Sequence, residues 1–160
     1  MFKKLRFILL LGVTLFSSVK MALPSCEKNK LSIISNGFNV IFDVEIANTP
    51  AKRAKGLMYR EFLGIKNGML FIYDKPRQLV FWMKNTPLSL DIIFFDKNGL
   101  IRSIYENAEP FSDKQIFGGI DLIGAIEING GQTSQLGIAV GDSIQTSSLD
   151  NKTALWPCTK

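Results

Sequence analysis

Between residues 38 and 46 the chain alternates with a period of two. Phe38, Val40, Phe42, Val44 and Ile46 fall on one side, and Asn39, Ile41, Asp43 and Glu45 on the other. That period predicts a half-buried strand. A short apolar run at 31–34 precedes it, and Asn36-Gly37 is a hairpin pair between the two. Thr49 followed by Pro50 predicts a capped helix start, and Gly56 limits that helix to a few turns at most. Strands are expected at 69–73 and 78–83, with Asp74-Lys75-Pro76 turning the chain between them. In the second of these, Leu79, Phe81 and Met83 oppose Val80 and Trp82. A long apolar strand at 88–95 ends in Asp96-Lys97-Asn98-Gly99, a hairpin loop, and the chain returns over 100–105. Residues 106–120, with Pro110 and Gly118-Gly119, read as a long loop. Further strands are expected at 124–129 and 143–146, with one helical turn at 133–136 closed by Gly137.

Seven or eight short strands with turn signals, and one or two short helices, predict a mainly β fold: a single antiparallel sandwich or barrel-like domain over 31–146. Helices are too few for a doubly wound sheet. An irregular tail is expected over 147–160.

Residues 1–25 do not share this pattern. Lys3, Lys4 and Arg6 precede an uncharged apolar run from Phe7 to Val19. A basic start followed by a short apolar core is the layout of a secretory signal, so the domain is expected to be exported to the periplasm or envelope. The run falls short of the roughly 20 residues of a spanning helix. Leu23-Pro24-Ser25-Cys26 also resembles a lipoprotein cleavage box, which would place a lipid on Cys26. Membrane association is expected only through the signal segment or that lipid.

Charge changes the picture once it is split by segment. The chain carries a formal +5, and Lys3, Lys4, Arg6 and Lys20 supply four of those charges, leaving +1 beyond residue 25. The basic balance belongs to the signal, so no nucleic-acid footprint is expected. The two cysteines, Cys26 and Cys158, stand near opposite ends of the mature segment. They could pair in an oxidising compartment, whereas lipidation of Cys26 would use the same sulfur.

Several segments together resemble one family. Val44-Glu45-Ile46-Ala47 leads into the capped turn. Arg53 and Gly56-Leu57-Met58-Tyr59-Arg60 follow, then Gly68-Met69-Leu70-Phe71, Phe81-Trp82-Met83-Lys84-Asn85-Thr86 and Leu90-Asp91-Ile92-Ile93-Phe94. Asn107-Ala108 with Pro110, Glu127 and Gly141-Asp142 complete the pattern. Over residues 40–146 the chain resembles the domain of unknown function 192 family. The resemblance implies a small β-sandwich-like domain, often behind a bacterial signal peptide, and no established reaction. Pro87-Leu88-Ser89-Leu90 departs from the family's order before the Asp.

The chain contains no histidine. That excludes Ser-His-Asp and Cys-His catalysis and the usual His-containing zinc sites. No cofactor and no metal are expected. Met58, Met69 and Met83 read as core rather than as soft-metal ligands. The candidate ligand-binding residues are Trp82, Lys84, Asn85, Thr86, Asp91 and Arg60. Trp82 offers a stacking face for a sugar or ring, and Asn85 and Thr86 offer donors and acceptors where a strand breaks into a loop. Asp91 interrupts an apolar run and needs a buried partner, for which Lys84 and Arg60 are the natural candidates; the plainer reading has it accept backbone N–H groups of the 85–86 loop. Glu45 and Glu127 are weaker candidates, as an acid–base pair or as solvent-facing strand residues. Three readings follow: a small-ligand or saccharide binding domain, a histidine-independent carboxylate hydrolase, and an interaction module of an envelope assembly. The expected partner is a small molecule or an envelope component.

Overall fold

The computed structural model describes residues 26–35 and 37–158. The expected signal segment and Asn36 of the first hairpin pair lie outside the described residues. The elements in chain order are β1 Lys30–Ser35, β2 Phe38–Ala47, α1 Pro50–Lys55, β3 Asn67–Phe81, β4 Leu90–Asp96, β5 Ile101–Ala108, β6 Ile116–Asn129, α2 Gln132–Leu136 and β7 Ser143–Thr146. The fold is mainly β with two short helices.

All seven strands join one sheet in the order β5-β4-β6-β3-β2-β1-β7. The sheet curls so that the start of β5 comes beside β7: Leu100, just before β5, bridges Ser143 of β7. Ile101 N–H donates to the Asp142 carbonyl at 2.9 Å, and Ile144 N–H to the Gly99 carbonyl at 2.7 Å. Gly99 sits at this closure with φ +82°, and a Cβ there would lie 2.5 Å from the Ile144 carbonyl oxygen. Only glycine combines that backbone conformation with so close an approach.

One pair departs from the antiparallel expectation. β2 and β3 run parallel, Asp43 opposite Asn67 through Ala47 opposite Phe71. The connection between them holds α1 and is long enough to bring the chain back in the same direction. Thr49 caps α1 by accepting from Lys52 N–H, and Pro50 takes the first helical position.

Two further expectations are corrected. Asp74-Lys75-Pro76 does not end a strand; β3 runs through it. Pairing with β6 jumps from Ile72 opposite Gly124 to Arg77 opposite Leu122, so residues 73–76 bulge out of the ladder. Proline is tolerated there because its missing N–H has no ladder bond to make. The loop expected at 106–120 is also shorter, since β5 runs to Ala108 and β6 begins at Ile116. Gly118 lies within β6 because the Phe94 ring packs against it. A Cβ at Gly118 would lie 2.3 Å from Phe94 Cδ1. This is the close-approach use of a strand glycine rather than a turn.

The sheet buries both faces. Leu31, Ile33, Phe42, Val44, Ile93, Phe95, Ile126 and Ile144 form the core on one side. Met69, Phe71, Phe81, Leu90, Ile92, Phe94 and Ala125 form the other, beneath Leu57, Leu63 and Met83 of the loops. Cys26 and Cys158 form a disulfide across 132 positions, joining the two ends of the described chain. The 147–158 tail has no helix or strand but is packed, with Leu149 buried.

Candidate functional site

β6 carries Ala125-Ile126-Glu127-Ile128, and Glu127 shares the face of Ala125. Its cross-strand neighbours are Met69 and Ile92. The Glu127 side chain is therefore set into an apolar row and is only 5% exposed. Among the described residues its carboxyl makes no side-chain hydrogen bond or ion pair. Burial pushes its pKa from 4.5 up to about 8, because desolvation disfavours the charged form. The group is protonated over most of the neutral range.

Glu127 opens onto a cavity of about 110 Å³. Arg53 and Lys55 of α1, Met58 of the following loop, Tyr73 of β3, Trp82 and Thr86 are among its walls. Phe71 and Phe81 close the apolar side with rings 4.9 Å apart, edge to face. The Arg53 guanidinium lies 4.4 Å from the Tyr73 ring centroid and donates to the Ile72 carbonyl at 2.9 Å. Its charge is thus fixed in the wall rather than free in solvent. Burial raises the Tyr73 phenol above its ordinary value, against the opposing pull of Arg53 and Arg77.

Trp82 stands at the rim, 52% exposed. The loop after it is held by three backbone bonds to two other segments. Tyr59 N–H donates to the Asn85 carbonyl at 2.7 Å, Phe111 N–H to the Thr86 carbonyl at 3.0 Å, and Met83 N–H to the Ser112 carbonyl at 2.9 Å. Tyr59, Asn85 and Phe111 all have left-handed backbone, at φ 63°, 56° and 60°. Each such residue costs about 1–2 kcal/mol, a cost held in place by surrounding structure and common around binding sites.

The structure divides the expected cluster at 82–91. Trp82 and the buried Thr86 line the cavity. Lys84 is exposed, and Asn85 is half-buried and serves through its backbone. Asp91 is fully buried but lies on the opposite side of β4 from Ile92 and Glu127. Neither Lys84 nor Arg60 nor the 85–86 loop is its partner. Asp91 Oδ1 accepts from Asn107 N–H at 2.8 Å and Gly131 N–H at 2.9 Å; Oδ2 accepts from Thr133 N–H at 2.8 Å and Thr133 Oγ1 at 2.7 Å. Asp91 therefore ties the end of β5 to the start of α2. Four donors offset the cost of burying its charge.

Arg60 pairs with Glu45 through both guanidinium nitrogens, one bond being Arg60 Nη2 to Glu45 Oε2 at 3.0 Å. The pair is partly exposed and sits in an adjoining groove with Lys28 and Lys52, which shares Lys55 and Gly56 with the Glu127 cavity. Glu45 and Glu127 lie on one row of the sheet with Met69 between them. At roughly 4.8 Å per strand their backbones are about 10 Å apart. Glu127 is not a solvent-face residue, contrary to the commoner expectation for a strand carboxylate. Its signal in the sequence was the unbroken apolar company of Ala125, Ile126 and Ile128, which leaves the strand no wet face. Nothing in their local sequence marks Arg53 and Tyr73 as site residues; the fold alone brings them to the cavity. No cluster of three Cys, Asp or Glu side chains able to hold a metal occurs among the described residues. Among the described residues no helix is long and apolar enough to cross a membrane.

A family model, DUF192, described as Uncharacterized ACR, matches residues 32–146. Two crystal structures are similar. A protein of unknown function from Novosphingobium aromaticivorans is 35% identical, with TM-score 0.71 over 72% of this chain and 83% of its own. A protein from Sinorhizobium meliloti, named as a candidate transcription regulator, is 36% identical, with TM-score 0.74 over 79% of this chain and 98% of its own. No curated protein matches.

Proposed function

The chain belongs to the DUF192 family of uncharacterized proteins, and from that premise we propose that it is a small-ligand-binding domain of the cell envelope, its ligand seated on Glu127 beneath Trp82. The observation that carries this reading is Glu127 itself. A carboxyl buried without a partner costs several kcal/mol of stability once it must ionise. Its hydrogen-bonding capacity is left free for whatever enters the cavity it lines. Here the group opens into a cavity edged by a fixed guanidinium, a phenol, a hydroxyl and an exposed indole. The cavity is well below the roughly 300–1,000 Å³ of a site that encloses a whole drug-sized ligand. It suits one polar substituent of a ligand whose remainder, a saccharide ring for example, lies over Trp82.

Export to the envelope is supported by the basic and apolar start at residues 3–19 and by the Cys26–Cys158 disulfide, a bond characteristic of oxidising compartments. The hydrolase reading finds no second carboxylate facing Glu127, since Glu45 occupies another groove and Asp91 the other side of the sheet. The name of the Sinorhizobium protein would suggest nucleic acid, but the net charge of +1 beyond residue 25 gives that no support.

A thermal-shift screen of small metabolites tests the reading with wild type and Glu127→Leu side by side. Ligands that raise the wild-type midpoint should leave Glu127→Leu unmoved. A screen in which every hit shifts both proteins equally would remove the cavity as the site.

A further inference from the structure

Resting on that reading, we propose that the Glu127 cavity selects a carboxylate, free or borne on a sugar acid, which accepts a hydrogen bond from the Glu127 side chain and faces the Arg53 guanidinium. Charge on the walls decides the class. Of the residues lining the cavity, Glu127 is the only acid, while Arg53 and Lys55 are both basic and both come from α1. With Glu127 protonated, the lining carries two positive charges and no negative one. An ammonium or guanidinium ligand would enter against them, and a carboxylate would enter with them. Arg53 cannot turn away cheaply, because it is held by the Ile72 carbonyl and the Tyr73 ring.

The donor at the floor follows from the surroundings of Glu127. Met69 on β3 and Ile92 on β4 flank it. The charged or titratable groups lining the cavity with it are Arg53 and Lys55 of α1 and Tyr73 of β3; Glu45 of β2 lies beyond Met69 on the same row and is paired with Arg60. None is hydrogen-bonded to its carboxyl among the described residues. A neutral carboxylic acid is one O–H donor with nothing yet to donate to. Donation from that acid to a ligand carboxylate is a charge-assisted bond, about twice the strength of a neutral one. Tyr73, held protonated by burial, keeps a second O–H at the wall. A cavity of about 110 Å³ has room for several water molecules, and so for a carboxylate with one or two carbons.

The test uses the full disulfide-bonded chain with Trp156→Phe, which leaves Trp82 as the sole indole. Its fluorescence is followed while acetate, glucuronate, glucose or guanidinium chloride is added at constant ionic strength, at pH 6.5 and pH 9.5. Acetate and glucuronate should saturate at pH 6.5, with Kd rising about tenfold per pH unit above pH 8 as the floor ionises. Glucuronate saturating at the lower concentration identifies a sugar acid as the ligand, and equal concentrations a free acid. Glu127→Gln retains an N–H donor and should bind with a flat pH profile, whereas Glu127→Leu should not saturate. Affinity that tightens above pH 8, saturation by guanidinium or glucose with neither acid, or silence from both acids overturns the carboxylate. The binding reading is decided separately, by the metabolite screen.

Discussion

Replacing Glu127 with glutamine removes the ionisable group from β6 and leaves the side-chain volume nearly unchanged. The group titrates near 4.5 in the unfolded chain and near 8 in the fold, where burial disfavours its charge. Between those values the native state holds one proton more than the unfolded state, so stability must fall as pH rises. The stability associated with the neutral carboxyl is fully present below pH 4.5 and is lost as pH climbs through about 8. Each pH unit is worth about 1.4 kcal/mol, so the interval of about 3.5 units corresponds to ~5 kcal/mol. With guanidinium slopes of about 2–6 kcal/mol/M for small proteins, the unfolding midpoint of wild type should drop by about 0.8–2.5 M more than that of Glu127→Gln between pH 4.5 and 8. Denaturation curves at several pH values for both proteins measure this directly. Parallel profiles would refute the claim that Glu127 is buried, protonated and unpaired.

Further substitutions probe the frame around the site. Asp91→Asn places an amide NH2 against one of the donors that tie β5 to α2, and should destabilise by about 3–5 kcal/mol in urea unfolding. Gly99→Ala should cost about 1–3 kcal/mol by the same assay, from its positive φ and the Ile144 carbonyl 2.5 Å from the new Cβ. Cys26→Ser with Cys158→Ser opens a loop of 132 positions, and chain entropy gives a loss of about 5 kcal/mol, read as a lower midpoint in non-reducing buffer. Glu45→Ala removes an exposed ion pair with Arg60 and should change stability by less than about 1 kcal/mol.

Legibility in the sequence followed burial. β2 was plain because one of its faces is wet, so Phe42 and Val44 alternate with exposed neighbours. β4 is buried along its whole length, and there apolar residues mark a strand without telling its faces apart. β3 looks like two strands in the sequence because local turn chemistry at Asp74-Lys75-Pro76 does not reveal that a bulge absorbs it. The partners of Asp91 lie 16 to 42 positions away, at Asn107, Gly131 and Thr133, which is why nearby Lys84 looked more natural. The cavity is assembled in the same way from residues 53–58, 71–73, 80–86 and 127. Trp82 and Thr86 could be named from their loop, but the meeting of Arg53 with Tyr73 beside Glu127 depends on the parallel β2–β3 crossover.

Native mass spectrometry of the full chain, purified from its source cells without denaturation, shows whether the Glu127 cavity holds a ligand. Wild type should carry a stoichiometric small-molecule adduct that is absent from Glu127→Leu. An adduct-free wild-type protein, or one whose adduct persists in Glu127→Leu, would contradict binding at that cavity.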